Sequence, residues 1–293
     1  MKIGIIGIGL IGSSLVQALL RANKDLDILT CDTNIENLET ARDMGLGNAF
    51  TPHSTDIARE CDIIFICVPV RSMGQVVAEM AGALTPGTII TDVGSVKSTV
   101  IRDVEPHIPQ GCFFVPGHPV AGLEAAGPAK GFAELFENRS YVFTPCATTS
   151  PESLETVREL IHTTGARTLD LDPETHDRIL GFTSHLPHVI AFAAMLESHK
   201  MSDELGLDIS IFNGGSYEDM TRVSTADLAM WRDIFLTNSD NIRFVVKNMM
   251  AQVDKFLAFM EDQDIEELSD KIDRARHYKL KQLSAKKERN KAR

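Results

Sequence analysis
Glycines at positions 7, 9 and 12, an aspartate at 32, a Gly117-His118-Pro119 step and a Ser184-His185-Leu186-Pro187-His188 cluster are the parts of this sequence whose types and spacing can do chemistry. The glycines follow an apolar run, Lys2-Ile3-Gly4-Ile5-Ile6, and open a helical pattern. Gly7 permits a tight turn, Gly9 lets backbone N–H groups approach a pyrophosphate, and Gly12 lets the helix pack close to the strand. Leu10 and Ile11 complete the turn, and the helix start faces the phosphates with its partial positive charge. A second strand expected over 27–32 ends in Asp32, whose carboxylate can hydrogen-bond both ribose hydroxyls. The same carboxylate would repel a 2′-phosphate, and Thr33 and Asn34 supply no cation, so NAD is expected rather than NADP. The alternative is a solvated turn acid or a cap on the helix expected over 34–44, which Thr33 could also provide.

In open α/β sheets, ligands sit beyond the carboxyl ends of the strands. Val68 and Pro69 end the apolar run 62–68 and join the cofactor assignment. Asp92-Val93-Gly94-Ser95-Val96-Lys97 and Gly117-His118-Pro119-Val120-Ala121-Gly122-Leu123-Glu124 follow the next two strands. His118 can present its imidazole to the nicotinamide, with Ser95 nearby to orient a hydroxyl or the ring. Further on lie Ser184, His185 and His188, then Gly214-Gly215 leading to Asp219 and Arg222, then Trp231-Arg232-Asp233. His185 and His188 have no third ligand at metal spacing, so an organic anion is preferred to zinc. Arg222 has two readings: an i, i+3 pair with Asp219, or a bidentate grip on a carboxylate.

These residues need a scaffold, and the patterning supplies one. Strands expected over 88–93, 113–116, 141–144 and 166–171, with helices over 97–107 and 151–164, give an α/β, doubly wound, mainly parallel sheet of Rossmann type. Beyond Pro173 the pattern is helical throughout, over 174–199, 226–238, 240–261 and 264–283. The expected division is a cofactor domain over 1–172 and an all-α domain over 173–293. The apolar stretch 190–196 suggests burial against a second subunit.

At 293 residues and 43% hydrophobic content the chain can bury a large core, and its formal net charge of −12 disfavours a nucleic-acid partner. The basic run 279–293 reads as a solvated helix end. Five scattered cysteines suit a reducing compartment. The opening strand does not resemble a signal peptide, and no stretch is expected to reach membrane-spanning length, so a cytoplasmic location is expected.

Taken together, the glycine turn with Asp32, Asp92-Val93-Gly94-Ser95-Val96-Lys97, Gly117–Gly122 with Glu124, Thr175-His176-Asp177, Ser184–His188, Asp219-Met220-Thr221-Arg222 and Met230-Trp231-Arg232-Asp233 resemble the prephenate dehydrogenase family over essentially the whole chain. The resemblance implies oxidative decarboxylation of prephenate with NAD in tyrosine biosynthesis, no metal, and a homodimer through the helical domain. His118 would be the catalytic histidine at the substrate 4-hydroxyl, aided by Ser95. Arg222 would bind a substrate carboxylate, and Ser184, His185, His188, Asp219, Glu124 and Trp231 would shape the substrate pocket. Tyr217-Glu218 departs from the aromatic-plus-arginine pair of the family pattern. Arogenate is the alternative substrate. A hydroxyacid dehydrogenase would need a lysine in the helical domain, and a non-catalytic NAD sensor would not need His118, Ser95 and Arg222. With no room for a separate regulatory domain, any feedback by tyrosine is expected at or near the active site.

Overall fold
The computed structural model describes residues 1–291. Apolar strands and intervening helices alternate as β1 (Lys2–Ile6), α1 (Leu10–Ala22), β2 (Asp27–Cys31), α2 (Ile35–Asp43), β3 (Ala49–Thr51), α3 (Ser54–Glu60), β4 (Ile63–Ile66), α4 (Met73–Met80), β5 (Ile89–Asp92), α5 (Lys97–Val104) and β6 (Phe113–Val115). The six strands form one parallel sheet in the order β3-β2-β1-β4-β5-β6. Both faces are covered: Ile3, Ile5 and Phe65 belong to one apolar cluster, and Ile6, Ile64 and Ile66 to the other. Alternate residues of one strand therefore serve opposite layers, as the pleat requires. The strand order reverses between β1 and β4, and the crevice beyond their carboxyl ends is where this fold binds its cofactor.

The expected single sheet stops at β6. After Pro116 the chain turns into β7 (Gly117–Pro119), which pairs antiparallel with β8 (Ser140–Phe143); α6 (Pro151–His162) then leads to β9 (Arg167–Asp170), parallel to β8. Pro116 and Pro119 lack the N–H groups that a longer strand beside β5 would need, so the three short strands make a sheet of their own. This departure sets Gly117 against Asp92 at the end of β5, with His118 next along β7.

Asp172 caps α7 (Pro173–Leu180) by accepting from Thr175 N at 2.9 Å. A π-helical turn over Gly181–His185 then joins α7 to α8 (Leu186–Leu205). Pro187 cannot donate to the preceding turn, and the wider turn accommodates its ring. The shorter α9 (Gly215–Thr221), which the sequence pattern did not reveal, and α10 (Leu228–Thr237) follow, then α11 (Ser239–Glu261) and α12 (Ile265–Lys291). By length and composition, Pro173–Leu205 is apolar enough to cross a membrane, which corrects the expectation that no stretch approaches that length. The length arises because the π turn fuses two helices. The same stretch carries the buried polar residues His176, Asp177 and His185, which are bonded to other elements as described below.

The chain forms two units, Met1–Ile242 and Arg243–Arg293. The change from strand to helix lies between β9, ending at Asp170, and α7, starting at Pro173. The second unit holds most of α11 and all of α12, on which Leu257, Met260, Ile265 and Leu280 are exposed. The basic run 279–293 lies on α12 up to residue 291, and its last two residues fall outside the described ones.

Candidate active site
Gly7 sits at φ +96°, and a Cβ there would lie 2.6 Å from the Cys67 carbonyl oxygen, so only glycine makes this turn without strain. A Cβ on Gly12 would collide with the Gly7 carbonyl, so α1 can approach β1 this closely only without a side chain. Gly9 differs: a Cβ there would meet nothing within 4 Å. The protein does not demand glycine at 9; the open space in front of it suits a pyrophosphate. Helix α1 starts at this residue with no side-chain cap and no acid in its first turn, which leaves its first amides for an anion.

Asp32 lies across the crevice. One oxygen accepts from Ile8 N at 2.9 Å and the other from Asn34 N at 2.9 Å, which fixes the carboxylate beside the glycine turn. Asn34, rather than Asp32 or Thr33, caps α2 by accepting from the Glu36 and Asn37 amides. Gly7, Gly9, Asp32, Asn37, Val68 and Pro69 help line a cleft of about 670 Å³ that continues to Pro52 and His53.

Beyond β5, polar groups are buried together. Lys97 and Asp92 are fully buried and form an ion pair, and Lys97 Nζ also donates to the Gly117 carbonyl at 2.6 Å. Asp92 accepts from Gly94 N at 2.7 Å and Gly117 N at 3.1 Å, while Tyr141 donates to the Asp92 carbonyl at 3.3 Å. Both peptide groups flanking Gly117 are thus held, which fixes the backbone immediately before His118. Burial lowers the Lys97 pKa, and the attraction of Asp92 opposes the shift. Removing one partner of such a pair typically costs about 3–5 kcal/mol because the other charge stays buried.

His118 is buried, and its Nδ1 lies 2.8 Å from His176 Nε2, the two rings meeting edge to face. His176 Nδ1 lies 2.8 Å from Asp177 Oδ1. Asp177 also accepts from Lys97 N at 2.7 Å and Ser98 N at 2.9 Å, so a side chain from α7 caps α5, which has no cap of its own. Burial holds the His118 pKa well below its ordinary value, helped by repulsion from His176, Lys97 and His185. Burial would raise the Asp177 pKa, but the hydrogen bonds from His176, Lys97 and Ser98 hold it below the usual carboxylate range. His118 is therefore neutral at pH 7 and Asp177 ionised.

A second group of residues lies on α8 to α10. His188 stacks on Trp231 with ring centroids 3.3 Å apart, and its Nδ1 donates to the Ser184 carbonyl at 2.9 Å. Arg222 Nη1 lies 2.6 Å from Glu124 Oε1. Burial lowers the His188 pKa, with Glu124 and Arg222 acting on it in opposite directions, so the three are close enough to interact. The arrangement offers a guanidinium and an imidazole edge to an anion, with a neutral buried histidine near the cofactor's strand ends.

Residues 15–170 match the family model for the prephenate dehydrogenase nucleotide-binding domain, and residues 172–274 the model for its dimerization domain. The chain belongs to the prephenate dehydrogenase family. It is similar to the cyclohexadienyl dehydrogenase of Zymomonas mobilis, at 37% identity over 262 residues covering 89% of each chain. It is also similar to the prephenate dehydrogenase of Bacillus subtilis, at 30% identity over 274 residues, covering 93% of this chain and 74% of the relative. Among solved structures, the prephenate dehydrogenase of Aquifex aeolicus in complex with hydroxyphenyl propionate and NAD+ superposes with a TM-score of 0.89, at 29% identity, covering 97% of this chain and 98% of that one. As a prephenate dehydrogenase family member, this chain is an NAD-dependent dehydrogenase. Gly9, the open α1 amides and Asp32 fit NAD, and Val68 and Pro69 line the same cleft.

For this prephenate dehydrogenase family member, the structure places several expected site residues differently from the sequence reading. Arg222 pairs with Glu124 across 98 positions of sequence, while the exposed Asp219 makes no ion pair with it. The i, i+3 reading fails because α9 ends at Thr221 and Arg222 begins a tighter turn. His185 is fully buried, its Nδ1 accepting from Asn238 Nδ2 at 3.0 Å. Its edge meets the Trp231 ring at 82°, and Trp231 is itself largely buried, packed on His188 and Phe235. Ser95 is half-buried, at the loop before α5. Sequence reasoning assigned no role to His176, Asp177, Lys97 or Asn238. Asn238 bonds the Asp177 carbonyl at 2.9 Å as well as His185, so it joins the two histidine groups. The local signals were Thr175-His176-Asp177, immediately after a capped helix start, and the Asp92–Lys97 motif that ends in Lys97.

Proposed function
We propose that this enzyme oxidatively decarboxylates prephenate to 4-hydroxyphenylpyruvate with reduction of NAD, in tyrosine biosynthesis. The observation that carries the reading is a neutral, buried His118 in the middle of β7, tied to His176 on one side, within a chain that also presents Arg222 and His188. NAD, held by the glycine turn and Asp32, would supply the acceptor for the hydride of substrate C4. His118 takes the proton of the 4-hydroxyl as the hydride departs, and Ser95 orients that hydroxyl. Arg222 and His188 hold a carboxylate, while Glu124 gives up its place on Arg222 to the substrate. The C1 carboxylate then leaves as CO2, its bonding pair makes the ring aromatic and the 4-oxygen takes its proton back from His118, so the protein orients more than it activates. Asp32 opposes a 2′-phosphate, which supports NAD over NADP.

The family's dimerization domain supports a homodimer. The exposed Leu196 and Leu205 on α8 and Leu257 and Met260 on α11 are the apolar surfaces a second copy would cover. The cytoplasmic location expected from sequence remains part of this reading. Purified protein mixed with NAD and either prephenate or arogenate, with NADH and CO2 followed, tests it. Faster turnover of arogenate would replace the substrate, and turnover of neither would overturn the reading.

A further inference from the structure
The geometry points to Asp177 and His176 as positioning residues that commit His118 to one tautomer, with its proton on Nδ1 and its lone pair on Nε2. This rests on the reading of His118 as the proton acceptor. The assignment starts at the amides of Lys97 and Ser98, which can only donate and which both donate to the Asp177 carboxylate. With Asp177 ionised, both its oxygens only accept, and His176 Nδ1, 2.8 Å from one of them, must carry a proton. Burial lowers the His176 pKa, so the ring is neutral and presents a lone pair at Nε2. His118 Nδ1, at 2.8 Å, must donate to that lone pair, which leaves His118 Nε2 bare and able to accept. The opposite tautomer would set two lone pairs face to face at this distance and turn a donor, not a base, toward the substrate.

The same carboxylate has a second consequence. By capping α5 it fixes the loop that carries Ser95, so one side chain sets that loop and the His118 proton together. Asn238 holds the Asp177 backbone carbonyl, which keeps α7 in register with the cap. None of these groups need touch the substrate.

Histidine-selective 15N labelling, read by long-range proton–nitrogen correlation at neutral pH, tests the assignment, with the His118 signals among the nine histidines identified by their loss in His118→Asn. The expected result is a protonated Nδ1 and an unprotonated Nε2 for His118 in the unaltered protein. In Asp177→Asn, which keeps one acceptor where two are needed, and in His176→Phe, which leaves the α5 cap intact, the proton should move to Nε2. In both variants kcat should fall about 10²–10⁴-fold, the scale of a lost or wrongly protonated base, with KM for NAD unchanged. A proton on His118 Nε2 in the unaltered protein would overturn the inference. So would folded variants that keep the Nδ1 proton and lose only melting temperature. A fully active His118→Asn would instead sink the proton-acceptor reading and leave the tautomer assignment standing.

Discussion
Arg222 should matter to substrate binding far more than to folding, because its protein partner is a surface contact. Its side chain is 63% exposed and that of Glu124 27%, so the pair contributes about 0–1 kcal/mol to stability after solvent screening. In a chain of this size, Arg222→Ala should therefore lower Tm by no more than about 4 °C. A charge-assisted hydrogen bond to a substrate carboxylate is worth about 1.5–3 kcal/mol, so the same variant should raise KM for prephenate roughly 10- to 150-fold. On the proposed reading, Glu124 competes with the substrate for Arg222. Removing its charge in Glu124→Gln should lower KM by up to about five-fold, the equivalent of 1 kcal/mol. Asp219→Ala should change neither quantity. Steady-state kinetics at saturating NAD and thermal melts on the three variants form one experiment. The reasoning is refuted if Arg222→Ala melts many degrees early yet keeps its KM, or if Glu124→Gln raises KM as much as Arg222→Ala does.

Three further outcomes follow from the buried histidines and the glycine cradle. His118→Asn should reduce kcat about 10²–10⁴-fold with NAD affinity intact, and in the unaltered enzyme kcat/KM should hold below pH 6.5, falling only as His118 protonates at its lowered pKa. An acid limb centred at 6.5 or above would contradict the burial of that ring. His185, lowered mainly by burial to about 4, binds protons more readily when unfolded, so stability should be full above the ordinary histidine value of 6.5 and fall as pH drops from there to about 4. Its share of that loss is roughly 3 kcal/mol, and denaturant melts of His185→Asn should show a correspondingly flatter dependence across this window. Gly9→Ala should melt like the unaltered protein but bind NAD weakly by calorimetry, since the space its methyl fills is free of protein atoms; unchanged affinity would remove the pyrophosphate from that space.

The local sequence marked most of the elements and the kinds of residue that end them, though not α9. Apolar runs covered by helices favour a buried parallel sheet, Gly7 is required by its positive φ and Gly12 by its approach to the Gly7 carbonyl five residues earlier, so the cradle and the position of Asp32 were legible without a fold, although the contact of Gly7 with Cys67 was not. The family motifs likewise marked His118 and Arg222. Partnership was not legible, because hydrogen bonding and burial depend on which distant segments meet. Arg222 looked able to pair with Asp219 at close spacing, yet Glu124 reached it from another element. His185 read as a pocket ligand, but Asn238 and Trp231 enclose it. Lys97 read as part of a motif, and only the packing of α5 against β5 and β7 made it a buried cation whose field reaches His118. The chain from Asp177 through His176 to His118 spans a helix start and a strand 58 positions earlier, and proton placement along it exists only once tertiary packing has brought those groups within hydrogen-bond distance.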